Sequence, residues 1–167
     1  HRMAGRYHLV ACEQRRGAEA LDGAWVPLAA NLRVHSGPPL PPRWDVASIA
    51  TEGGVPRKLF LQALRERYPS HYIGGAPGAE VGAIYSQAKI VFNRSIRDDV
   101  NMRVFEALAA GSLLVTNRLP HDDLARLGLR EGEHYVAYER TEDLFPLIDR
   151  WLADEDGRRA IAAASMR

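Results

Sequence analysis

Residues 93–117 read NRSIRDDVNMRVFEALAAGSLLVTN, and the fold turns on how this stretch is parsed. It follows Lys89–Phe92 (KIVF), a short apolar run of the kind that makes a buried strand. Ser95 to Asn101 is polar at nearly every position and reads as a loop. Met102 to Ala110 then has helical spacing: Met102, Phe105 and Ala109 share an apolar face predicted to pack on the sheet, and Arg103 and Glu106 share a polar one. Ala109-Ala110-Gly111 lets helix and next strand approach closely, with Gly111 free to take positive φ as the cap. Ser112–Thr116 (SLLVT) is the following strand.

The same alternation extends outward. Upstream, Asp45–Ala50 (DVASIA) is a strand, Glu52-Gly53-Gly54 a flexible turn, and Pro56 opens a helix carrying Leu59, Phe60, Ala63 and Leu64 to about Tyr68. Pro69 stops it, His71–Ile73 is a short strand ending in Gly74-Gly75, and Ala79–Ala88 is a second helix. Downstream, His121–Leu127 is a short helix and His134–Tyr138 a final strand. Leu144, Leu147, Ile148, Trp151 and Leu152 trace one helix face, with Thr141 or Asp143 as its cap and Pro146 near its first turn; Glu155–Met166 is the last helix.

Short continuous apolar strands alternating with helices predict an α/β fold: an open doubly wound parallel sheet in three layers, α/β/α. Ligands of such sheets sit beyond the carboxyl ends of the strands, where strand order reverses. The loops after Ala50, Ile73, Phe92 and Thr116 open on that edge. At the other end of the chain, Tyr7–Cys12 reads as a strand, Glu13–Leu21 as a brief helix, and Ala24–Leu28 as an edge strand because of Pro27. Ser36–Arg43 (SGPPLPPR) is stiff and extended. This divides the chain into a remnant at 1–35, a proline-rich linker at 36–43 and a Rossmann-like domain at 44–167.

Composition narrows the function. A length of 167 residues allows one well-cored domain, and 46% apolar with 26% charged residues describes a globular protein. Net charge is +1 with no basic run, so nucleic acid is not an expected partner. No apolar run approaches a membrane span, and Cys12 stands alone, which suits a reducing cytoplasm. No Gly-x-Gly-x-x-Gly, P-loop or Gly-x-Ser-x-Gly motif is present. Asp98-Asp99 lacks further ligands at metal spacing, and His71, His121 and His134 are scattered singly, so neither group is assigned. Asp122-Asp123 reads as a helix start.

The helix at Met102 admits two readings. Arg103 and Glu106 make an ordinary exposed i, i+3 pair, worth about 0.2–0.5 kcal/mol. Alternatively, Glu106 accepts from two ribose hydroxyls and Arg103 meets a phosphate, with the loop amides from Ser95 to Asn101 favouring an anion. The stretch VFNRSIRDDVNMRVFEALAAGSLLVTN resembles the donor-binding segment of GT-B glycosyltransferases, in the CgeB-like, group-one-like branch. GEHYVAYERTEDLFPLIDRWLADEDGRRAIAAA is similar to that family's closing pattern. WVPLAANLRVH and WDVASIATEGGVPRKLFLQALRERYP resemble its passage from the first lobe into the second.

The resemblance implies a C-terminal, donor-binding lobe. Glu106 would grip the donor ribose, Asn101, Arg103 and Ser95 would border the pocket, and Gly111 would close the helix. Arg57 and Lys58 fall where the family often places cations facing the diphosphate, beside Gly53 and Gly54; on their own they also read as solvated helix residues. Asp98 stands where many such enzymes carry a longer Glu near the donor sugar, and is the one catalytic candidate. The family implies a nucleotide-diphosphate hexose as donor, of UDP type, no cofactor or metal, and an acceptor lobe lying outside this chain, which alone would transfer nothing. Two alternatives remain: a non-catalytic α/β interaction or regulatory module, and a nucleotide-sugar epimerase of the same architecture. A receiver-like phosphoacceptor domain lacks its acidic pair and lysine.

Overall fold

The computed structural model describes residues 10–37, 40–50, 55–119 and 121–167. In chain order these form β1 (Ala11–Cys12), α1 (Arg15–Ala20), β2 (Ala24–Trp25), α2 (Leu32–His35), β3 (Trp44–Ile49), α3 (Val55–Arg67), β4 (His71–Gly74) and α4 (Gly78–Ser86). There follow β5 (Ala88–Asn93), α5 (Met102–Ala109), β6 (Leu113–Asn117), α6 (Asp123–Arg126), β7 (Val136–Tyr138), α7 (Leu144–Ala153) and α8 (Glu155–Ser165). Residues 7–9 of the expected first strand, part of the proline stretch, and Glu52, Gly53 and Gly54 lie outside the described residues.

The main sheet has five parallel strands in the order β4-β3-β5-β6-β7, so the chain lays down β3, moves outward to β4, then crosses back over β3 to place β5 and the rest on its other side. The reversal falls between β3 and β5. Val46 lies opposite both His71 and Ile90, Ile90 opposite Leu113, and Val115 opposite Val136. Side chains alternate between the two faces of the sheet. One face packs Val46, Ile90, Phe92, Leu113, Val115 and Tyr138 with Leu61 and Leu64 of α3, Leu144 and Ile148 of α7, and Ile161 of α8. The other packs Ala47, Val91 and Leu114 with Val81 and Tyr85 of α4 and Val104, Ala107 and Leu108 of α5. Burying such side chains contributes roughly 1.5–3 kcal/mol each and fixes which helix covers which face. This is the doubly wound α/β architecture expected from the sequence.

Two local expectations are corrected. The buried stripe of α5 is Val104, Ala107 and Leu108, not Met102, Phe105 and Ala109; Met102 is exposed. Phe105 and Ala109 instead face an apolar groove shared with Leu28, Leu32 and Met166. Helix α5 is thus covered on two sides, and only one apolar stripe can face the sheet. Asp143 does not cap α7 with its side chain: its Oδ2 accepts from the Arg140 backbone N–H at 3.2 Å and closes a 3₁₀ turn, Thr141–Asp143, that leads into the helix. Pro146 falls in the first turn of α7, where it displaces no helical hydrogen bond.

The segment before the sheet is packed rather than trailing. β1 and β2 pair in parallel as a separate ribbon. Arg15 of α1 pairs with the buried Asp123, Arg16 contacts His121, and Gln14 Nε2 donates to Asp99 Oδ2 at 3.3 Å. Helix α2 lies on α4 and α5.

Candidate functional site

Strand order reverses between β3 and β5, and next to that point a crevice opens beyond Asn93 and Asn117, against the first turn of α3. The ends of β5 and β6 and the loop 94–101 build its floor through amide and hydroxyl side chains. Asn93 Nδ2 donates to Thr116 Oγ1 at 3.1 Å, and Asn101 Nδ2 donates to Asn93 Oδ1 at 3.2 Å. The Ser95 backbone N–H donates to Asn117 Oδ1 at 2.8 Å. Ser95 Oγ donates to Asp99 Oδ1 at 2.7 Å and accepts from the Asp99 N–H at 2.9 Å, folding the loop back on itself. Asp98 sits at the turn with φ of 54°, a left-handed conformation that Asp adopts more readily than most residues. Its side chain is exposed and lines a cavity of about 130 Å³ with Arg57, Arg94, Ser95 and Asn117. Asn101 precedes α5 without capping it, and its Oδ1 is buried with no hydrogen-bond partner among the described residues.

Two guanidinium groups line this cavity, and the charge of a third, Arg103, acts on one of them. Arg57, from the first turn of α3, is 7% exposed, and its Nη2 donates to the Arg94 carbonyl at 3.0 Å. Burial holds its pKa below the usual arginine value, and the charges of Arg103 and Arg94 push it the same way, against a smaller pull from Asp99. Arg94, the first residue past β5, lays its guanidinium 4.5 Å over the Phe60 ring and donates from Nη1 to the buried Tyr138 hydroxyl at 3.3 Å. Guanidinium groups gathered at the carboxyl edge of a parallel sheet suit an anion chemically. Lys58, on α3 beside Arg57, is exposed and lines none of this cavity.

Glu106 does not line the 130 Å³ cavity, and the charge of Arg103, on the same helix, acts on both Glu106 and Arg57. Its side chain is 14% exposed and faces His35 of α2, whose Nε2 lies 3.6 Å from Oε1. Burial raises the Glu106 pKa; His35 and Arg103 pull it back down by lesser amounts. The carboxylate is therefore neither an exposed member of a surface pair nor fully sealed. Gly111 ends the helix at φ of +71°, as its place in the sequence requires.

Of the expected residues, the structure brings Arg57, Ser95, Asp98 and Asn101 together around the crevice, with Arg103 and Glu106 next to it on α5. Arg94 and His35 were not expected. Arg94 carried a readable signal, being the first residue after a strand that ends on the binding edge. His35 carried none, because it precedes the proline stretch and reaches Glu106 only through the fold.

The sequence matches the glycosyl transferase-like family over residues 28–167, and the chain belongs to that family. No curated protein matches it. Among solved structures it resembles Anabaena Alr3699/HepE in complex with UDP and glucose, at 12% identity and a TM-score of 0.70 over 99% of this chain and 59% of that one. It also resembles TarM, at 8% identity and a TM-score of 0.69 over 98% and 40%. Pneumococcal GtfA in complex with UDP and GlcNAc gives 13% identity and a TM-score of 0.59 over 98% and 42%. The fold is thus the Rossmann-like half of a GT-B glycosyltransferase, and the chain spans between 40% and 59% of the length of these proteins.

Proposed function

We propose that this chain is the donor-binding lobe of a glycosyltransferase that moves a hexosyl group from a nucleoside-diphosphate sugar, of UDP type, to an acceptor held by another lobe. The observation that supports this reading is the cavity next to the switch point of the sheet, which Arg57 and Arg94 line together with Ser95, Asp98 and Asn117, with the charge of Arg103 on α5 acting on Arg57. A diphosphate is held by these cations, and as the sugar departs they stabilise the negative charge growing on the leaving group. Glu106 receives the ribose diol, its carboxylate offering two oxygens to two hydroxyls. The orphaned Asn101 Oδ1 is an acceptor for a sugar hydroxyl. No step in this scheme uses a metal ion, and the reading places the protein in the cytoplasm, where nucleotide sugars are at hand.

Calorimetric titration of UDP, GDP, ADP and dTDP tests it, using wild type, Arg103→Ala and Glu106→Ala. One nucleotide is expected to bind, and each substitution to weaken it by about tenfold or more, the size of one charged hydrogen bond. Failure of all four nucleotides to bind wild type sinks the assignment. A second reading, a non-catalytic module on the same fold, is favoured by Asp98, whose exposed side chain is a methylene shorter than the Glu many related enzymes carry. Nucleotide binding without sugar transfer by the intact protein would select it.

A further inference from the structure

Helix α2 is a single turn, and the structure fixes its last residue unusually well. Asn31 caps it, its Oδ1 accepting from the Arg33 N–H at 3.1 Å. The Asn31 backbone N–H donates to His35 Nδ1 at 3.1 Å. That nitrogen is therefore the acceptor of the ring, and the ring hydrogen sits on Nε2, which points at Glu106. The His35 side chain is only 10% exposed. The backbone beneath it is held by close approach to α4: a Cβ added to Gly82 would lie 2.5 Å from the Val34 carbonyl oxygen and 2.6 Å from the His35 Cα. Around Glu106 the other charged or titratable groups among the described residues are Arg103 on its own helix and Tyr85 of α4, whose hydroxyl accepts from the Ile49 N–H at 3.2 Å. Among the described residues Glu106 makes no side-chain hydrogen bond, so His35 is what stands ready to orient its carboxylate.

We propose that His35 is a positioning residue for the donor site, setting the plane of the Glu106 carboxylate for the ribose diol. This rests on the reading that Glu106 receives that diol. Each carboxylate oxygen has two lone pairs, so a donor on Oε1 leaves acceptors for both hydroxyls. The separation of 3.6 Å is longer than a hydrogen bond, and contacts of this kind tighten when a ligand arrives. The segment before the main sheet, which reads in the sequence as a remnant of a preceding lobe, thereby completes the nucleotide site.

The test compares UDP with 2′,3′-dideoxy-UDP, which lacks the diol, on the intact protein. Wild type should prefer UDP. His35→Ala should lose most of that preference, about tenfold, through weaker UDP binding alone, with the dideoxy nucleotide bound as by wild type. His35→Gln, whose amide donates from nearly the same place, should keep the preference, and His35→Asn, too short to reach, should lose it. If the alanine variant does not fold, as judged by thermal unfolding, the Gln and Asn pair decides. Equal weakening of both nucleotides, or full retention of the preference in His35→Ala or His35→Asn, overturns the role of His35. A wild type that binds both nucleotides alike removes the diol from Glu106 itself, and the role of His35 falls with it.

Discussion

At the scale of single residues, the site is built from charges placed where water is scarce. Glu106 shows the consequence for stability. Burial raises its folded-state pKa above the ordinary 4.5, so folding favours its protonated form. The stabilising contribution is fully present below the unfolded value and is lost as pH rises through the folded one. At neutral pH the ionised carboxylate is then a net cost to the folded protein. Glu106→Gln is expected to unfold at a higher urea concentration than wild type at pH 7, with the gap closing toward pH 4, while nucleotide affinity drops. A variant less stable than wild type at pH 7 contradicts this. Arg57 is a second buried charge. Arg57→Met removes a buried cation together with its hydrogen bond to the Arg94 carbonyl, a loss of about 1 kcal/mol for that bond. Nucleotide affinity should therefore fall far more than stability, and paired calorimetry and urea denaturation check that.

At the scale of elements, what could be read from the sequence was what repeats with a period. Strands β3, β5 and β6 are continuous apolar runs, and their order with the helices between them was legible to within a few residues. The phase of α5 was not, because both of its apolar stripes have helical spacing and the sequence does not say which one meets the sheet. The answer depends on the N-terminal segment, whose docking rests on isolated long-range contacts such as Arg15 with Asp123. The same limit hid His35 but not Arg57, which lies a few residues from a strand end. Two variants probe these elements. Asp123→Asn weakens the tie to Arg15 and is expected to speed amide hydrogen exchange across α1 and α2, with the sheet strands unchanged. Gly111→Ala forces a Cβ at φ of +71° to within 2.7 Å of the Met166 sulfur, and should lower stability by about 1 kcal/mol or more in urea unfolding.

At the scale of the whole molecule, the sheet presents one working edge. The chain spans 40% of TarM and 59% of HepE, and the crevice beyond β5 and β6 offers cations and hydrogen-bonding groups for a donor. Transfer also needs an acceptor nucleophile held against the sugar, and holding two reactants in line supplies much of the rate that separates an enzyme from a binding site. A single lobe should then bind without turning over. Residues 1–167 alone are expected to take up UDP and to leave a UDP-hexose intact in the presence of simple sugar acceptors, with no free nucleotide released in the assay. On the proposed reading, with guanidinium groups holding the diphosphate, the affinity should fall as salt is raised from about 0.05 to about 0.5 M, and less steeply than for an exposed patch, since Arg57 is buried. Measurable transfer by this lobe alone would mean that its own edge also seats the acceptor, and Asp98, at the rim of the crevice, would then be the first carboxylate to replace with Asn.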